Sequence, residues 1–244
     1  MSSPFITPYD KNVLSDHMGK AVKVTERAYN TSFITTDLIA WYKAANVTKD
    51  GSNLVSEITD MSGNGHHLVQ ATASKQPVWT DAQLNGHPVL NFDGNDDLIE
   101  VAFGTTYARP NTIFVVFNIE ALTGWFQAIY QGGTTNGYTW AFNTEQLTTN
   151  GGAGNGGYLK PAPFGYMLET TVMEISNDKM YENGVLKNSE NLGNGGVDGM
   201  GLGSTWAPNV ALDGNIAELL FYSRQLTTAE RETVEAYLMN KYDL

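Results

Sequence analysis

The sequence predicts an all-β fold, an antiparallel two-sheet sandwich closed by one short C-terminal helix. Three observations predict it. Short apolar or alternating runs rich in Val, Ile, Phe, Tyr and Trp recur from Leu38 onward, seven Asn-Gly dipeptides punctuate the chain, and helical spacing takes over only at the C-terminal end. β-branched and aromatic residues suit a pleated, half-buried surface, and Asn-Gly supplies the positive φ angles that tight hairpins need. The 244 residues, 41% of them hydrophobic, suffice for one large β domain with a full core.

In chain order, "LIAWYKA", "PVWT", "PVLNFDG", "DLIEVAF", "TIFVVFNI", "WFQAIYQG", "YTWAFNT", "YMLETTVMEI" and "NIAELLFYS" read as strands bounded by Gly, Asn and Asp. "DKMYENGVLKN" is a hairpin turning at Asn183-Gly184. The glycine runs "TTNGGAGNGGY" and "NLGNGGVDGMGLGS" read as loops at one end of the sandwich, with no Lys-Ser/Thr partner that would make them phosphate cradles. In "LTTAERETVEAYLMNKYDL", Thr227 and Glu230 form a capping box, and Val234, Tyr237, Leu238 and Tyr242 recur at helical spacing. The first 36 residues differ: they are polar, carry Pro4 and Pro8, and hold only scattered apolar residues such as Phe5, Ile6, Val13, Leu14, Val22 and Val24. They read as an N-terminal arm that attaches a folded domain, residues 37–244.

Composition narrows the function. The 26 acidic and 14 basic residues give a net charge of -12, which repels phosphate backbones and anionic headgroups and disfavours nucleic acid and membranes as partners. With no cysteine, disulfides and Cys-ligated metals are excluded. The start "MSSPFITPYDKN" lacks a basic n-region and an apolar h-region, and no apolar run approaches the ~18 residues of a membrane span. The chain as written is therefore expected to be soluble and not addressed to the secretory pathway.

The stretch "DMSGNGHHLVQ" sets Asp60, His66 and His67 together as if for a metal. Adjacent strand residues point to opposite faces, so the two imidazoles are poorly placed to share one ion. A turn is the better account, with Asn64-Gly65 supplying the bend and Asp60 or Ser62 bonding backbone amides. Both histidines are then expected to be dispensable. "NFDGNDDLIE" is the better cation candidate, since Asp93, Asn95, Asp96 and Asp97 crowd hard oxygen ligands of the kind calcium takes. An Asp-Gly turn with a polar bend explains the same residues, and the spacing departs from an EF-hand loop. Among aromatics, Trp125, Tyr138, Trp140 and Trp206 lie near the glycine-rich stretches and are the candidate sugar-stacking rings, whereas Trp41, inside an unbroken apolar run, belongs to the core.

Four stretches resemble, in order, the concanavalin A-like jelly-roll domains of the laminin G type found in phage virion and bacterial surface proteins. They are "LIAWYKAANVT", "DMSGNGHHLVQATASKQPVW" running on to "LNGHPVLNFDGNDDLIEV", the hairpin "MYENGVL", and "LDGNIAELLFYSRQLTTAERETVEAYLMNKY", together covering about residues 36–244. The resemblance implies a jelly-roll sandwich and a role in binding or assembly, without fixing a ligand. Related jelly rolls often hold a rim calcium. Glycosidases of the fold class set two or three carboxylates on alternate residues of one strand. No Glu-x-Asp-x-Glu pattern occurs here, and Glu169 and Glu174 are an odd interval apart, so a non-catalytic protein is expected.

These readings converge on a virion surface protein, such as a phage fibre, spike or head decoration, whose jelly roll binds a glycan or host-surface polysaccharide. The arm would join it to other virion proteins and to further copies of itself, in threes as fibres and decorations often cluster. A bacterial secreted or cell-surface carbohydrate-binding module is the alternative, and a glucanase-type enzyme is disfavoured.

Overall fold

A computed structural model describes residues 35–122, 126–133, 138–142, 146–150, 155–160, 164–174, 176–204 and 210–244. Except for Thr35 and Thr36, the arm expected over residues 1–36 lies outside them. The strands are β1 (Leu38–Lys43), β2 (Val47–Lys49), β3 (Val55–Ile58), β4 (Leu68–Val69), β5 (Val78–Leu84), β6 (His87–Asp93), β7 (Ile99–Tyr107), β8 (Asn111–Ile119) and β9 (Phe126–Gln131). They continue with β10 (Tyr138–Phe142), β11 (Gln146–Asn150), β12 (Asn155–Leu159), β13 (Phe164–Met173), β14 (Asp178–Glu182), β15 (Val185–Glu190), β16 (Val197–Leu202) and β17 (Asp213–Tyr222). Helix α1 (Thr228–Tyr242) follows.

The strands form two antiparallel sheets. The front sheet runs β15-β14-β13-β8-β17-β6-β5, with β1 pairing the C-terminal half of β17 where β6 leaves it. The back sheet runs β12-β11-β10-β9-β16-β7-β4-β3-β2. Alternation sorts the front-sheet residues between two cores. Leu90, Phe92, Ile113, Val115, Phe117, Leu219 and Phe221 point between the sheets, against Ile99, Ile129, Met200 and Leu202 of the back sheet. Val89, Phe114, Val116, Leu168, Ala217, Leu220 and Tyr222 point the other way, onto Val234, Leu238 and Tyr242 of α1. The amphipathic helix thus covers part of the front sheet's outer face.

Local chemistry sets the turns and the helix start. Asn183 and Gly184 (φ 48° and 76°) make the expected hairpin turn, and Asn85 and Gly86 (φ 47° and 77°) make another between β5 and β6. Asn85 Nδ2 donates to the Lys241 carbonyl at 3.1 Å, pinning that hairpin to the end of α1. Thr227 caps the helix with both bonds of the capping box in place.

The glycine-rich stretches depart from expectation. Instead of being loops throughout, they contribute β12 at one edge and β16 in the interior of the back sheet. Close packing explains the glycines of β16: a Cβ at Gly199 would sit 2.6 Å from the Val101 carbonyl oxygen, and one at Gly201 would sit 2.7 Å from Gln131 Nε2.

Candidate functional site

The histidine stretch is a structural turn. Asp60 Oδ1 accepts from the amides of Trp41 (3.0 Å) and Ser62 (2.9 Å), and Oδ2 accepts from the His66 amide (3.0 Å). Asn64 Nδ2 donates to the carbonyls of Leu38 and Ile39, sewing the turn to β1. The His66 ring lies 4.5 Å from that of Phe103. His67 has a role the sequence does not reveal, because its Nδ1 accepts the Asp60 amide at 3.0 Å.

The buried carboxylates have internal partners. Glu169 faces the core from β13 and accepts from Thr171 Oγ1 (2.9 Å) and Thr149 Oγ1 (3.2 Å). Glu174, beyond the end of β13, bonds Lys179 and Gln225, so these two acids do not form a pair. Glu218 is fully buried beneath α1. It accepts from Trp41 Nε1 (2.6 Å) and Tyr237 Oη (3.3 Å) on Oε1, and from Lys241 Nζ (2.6 Å) and Tyr242 Oη (2.8 Å) on Oε2. A register shift between Ile216 and Glu218 turns this carboxylate toward the helix. Trp41 is half-buried against the same cluster.

The proposed calcium ligands lie in the turn from β6 to β7. Asp97 Oδ2 accepts the Asp93 amide at 3.1 Å, and Asp93 Oδ1 accepts the Asn95 amide at 2.9 Å. Asp213 stands beside them, paired with Asp93 across β6 and β17, and the Glu120 amide donates to the Asp213 carbonyl. Burial, then the Asp93 carboxylate and less so Asp96, pushes the Asp97 carboxyl up to about 7 against its amide bond. Asp213 is raised by burial, Glu120 and Asp93. Among the described residues, no group of three or more acids or imidazoles is disposed to hold a metal ion.

Trp125 and Trp206 lie outside the described residues, and of Tyr138 and Trp140 the backbone alone is described, in β10. Tyr138 pairs with Gln131 and Trp140 with Ala128. The described ends of the Trp125 and Trp206 segments come close to the acidic turn. The Ala128 amide donates to the Val210 carbonyl, Leu212 to Gly203, and Gly94 to Leu212.

Next to the acids, register builds a polar row on the front sheet's outer face. Asn215 on β17 stands opposite Asn91 on β6 and Asn118 on β8. Asn91 Nδ2 donates to Asn215 Oδ1 (3.1 Å), and Asn215 Nδ2 donates to Asn118 Oδ1 (2.9 Å) and Glu120 Oε1 (2.6 Å). Val78, 37% exposed, pairs with Asn91 at one end. Tyr166, in the register shift of β13 opposite Asn118, stands at the other. Sequence reading missed this row. Its signal was an asparagine at an outward position in each of "PVLNFDG", "TIFVVFNI" and "NIAELLFYS".

No family model and no curated protein matches the sequence. Solved structures match the fold. The binding domain of Paraclostridial mosquitocidal protein 1 aligns with a TM-score of 0.64 at 13% identity, over 85% of this chain and 53% of that one. A Trypanosoma rangeli sialidase in complex with sialic acid aligns at 0.61 and 12% identity, over 85% of this chain and 33% of that one. Domain 4 of an extracellular arabinanase from Geobacillus stearothermophilus, in complex with arabinotriose, aligns at 0.58 and 17% identity, over 82% of this chain and 98% of that domain. This chain thus spans about a third of the sialidase and about half of the toxin binding domain. The architecture that these proteins share with it is the antiparallel β-sandwich the sequence predicts.

Proposed function

We propose that this chain is a non-catalytic glycan-binding module. The observation that carries the reading is how the polar side chains divide. Glu169 and Glu218 are buried and serve internal partners, whereas Asn91, Asn118, Glu120, Asp93 and Asp213 stand together on a sheet face the helix leaves uncovered. A rigid sheet face with unspent hydrogen-bonding groups suits recognition, and carboxylates locked into the fold are poor acid–base catalysts. The sandwich it shares with an arabinanase domain solved with arabinotriose and a sialidase solved with sialic acid adds support. The test is a glycan array probed with the full chain, followed by a hydrolysis assay on each glycan bound. Binding without product supports the reading, and release of product overturns it.

Within this proposal, residues 1–36 attach the module to a virion surface, with a bacterial cell surface or the extracellular medium as the alternative. The sequence resemblance to virion and surface jelly rolls and the polar arm support this. Full-length protein is expected to self-associate or bind particles, and protein beginning at Thr36 to be monomeric and particle-free. Equal behaviour of the two removes the attachment role.

A further inference from the structure

We propose that the row Tyr166–Asn118–Asn215–Asn91–Val78 is the glycan site, and that it takes an uncharged oligosaccharide lying across the strands. The inference rests on the glycan-binding reading and adds a place and a chemical class to it. Asparagine is depleted in strands, yet three asparagines occupy one register line on adjacent inner strands of the front sheet, β6, β17 and β8. One strand position further on, Val89 and Val116 fill the same outward face with aliphatic side chains beneath α1. The fold therefore accepts apolar residues beside the row, and amides in three consecutive strands break the local pattern. Such breaks concentrate where a surface has work other than stability.

The row's own bonds leave it primed at both ends. Asn215, 2% exposed, is satisfied within the row, while Asn91 Oδ1 and Asn118 Nδ2 are left without partners among the described residues, one an acceptor and one a donor. The Tyr166 hydroxyl is shielded from solvent and likewise has no partner among the described residues. An aromatic ring, the two outer amides and an exposed valine match what a sugar chain offers, namely apolar ring faces alternating with hydroxyls that both donate and accept. Five strands at ~4.8 Å spacing span about 19 Å, which suits an oligosaccharide more than a single sugar.

Charge selects the class. Asp93, Asp213 and Glu120 border the row, and the net charge is -12. A sialylated or uronic-acid ligand would bring its carboxylate against these acids, whereas neutral hydroxyls can donate to them.

The test uses the full chain and calorimetric titration with neutral oligosaccharides, arabinotriose among them, and with sialylated counterparts. Neutral ligands should bind, and sialylated ones at least tenfold more weakly at low salt, with the gap narrowing as salt rises. The double variant Asn91→Ala, Asn118→Ala should lose tenfold or more in affinity. Should it fail to fold, Val78→Lys, which changes an exposed side chain at the row's end, should lower affinity in a protein that still melts cooperatively. Neutral binding unaffected by these substitutions overturns the site. Preference for the sialylated ligand overturns the class. Failure of every glycan to bind refutes the glycan-binding reading itself.

Discussion

The outer face of the front sheet has two halves, and they solve opposite problems. Under α1, Val89, Phe114, Val116, Leu168 and Leu220 pack on Val234, Leu238 and Tyr242, and the carboxylate that β17 sends there, Glu218, accepts from four donors. Beyond the helix, Asn91, Asn118 and Asn215 stand next to Asp93, Asp213 and Glu120, with some of their hydrogen-bonding groups unspent. One sheet supports both because alternation and register decide each outward position separately from the shared inner core. The comparison implies that substitutions in the covered half act on stability and those in the open half on binding.

The largest expected effect is loss of the covered half. Deleting residues 228–244 exposes the whole helix-side cluster, and the product should aggregate or lose its cooperative melt. A soluble, cooperatively melting truncation would show the halves to be less different than they look. Next comes Glu218→Ala, which strands the Lys241 ammonium and the Tyr242 hydroxyl beneath the helix. Breaking a buried pair from one side costs about 3–5 kcal/mol. Denaturant unfolding should show it, and a loss below about 1 kcal/mol would reduce Glu218 to a bystander.

The open half carries charge strain instead. Asp97 is raised from its ordinary 3.8 to about 7, so its folded form holds the proton more tightly. Its stabilising contribution is full below 3.8 and is lost as the pH rises through about 7. Asp97→Asn should therefore melt higher than the parent at pH 8 and equally at pH 4. Glu230, in the capping box, has the reverse sign. Arg224, then the Thr227 amide, lowers it from 4.5 to about 2, so its contribution is present above 4.5 and is lost as the pH falls through about 2. Glu230→Gln should be destabilised at pH 7 and converge with the parent in strong acid. A calcium ion on the Asp93–Asp97 turn would relieve the same repulsion. Millimolar calcium is then expected to raise the parent's melting temperature at pH 8 and leave Asp97→Asn unmoved, and an absent shift in both leaves those residues as a turn.

The smallest effects fall in the histidine turn. His67→Ala removes one acceptor, worth about 1 kcal/mol, and His66→Ala removes a ring contact of similar or smaller size. Thermal melts of the two should differ little from the parent and should not respond to chelator.

Much of the covered half was legible in the sequence. The capping box, the Val234–Leu238–Tyr242 spacing and the Asn183-Gly184 hairpin act through neighbours within a few residues, and each appears where expected. β12 and β16 were not legible, because a strand made of glycines shows neither alternation nor branched side chains, and its reason lies in close approach by other strands. The asparagine row was hidden differently. Asn91, Asn118 and Asn215 are visible one at a time, but only cross-strand register, set over separations of about a hundred residues, places them side by side.

The most direct measurement is the thermal melt of Asn91→Ala, Asn118→Ala with and without a neutral oligosaccharide that stabilises the parent. A melt that stays cooperative is expected, lowered by roughly 6–12 °C because buried Asn215 loses its bonds to both neighbours, with no rise on adding the sugar. An undiminished rise on adding the sugar would overturn the site, making the row part of the scaffold and placing the ligand elsewhere.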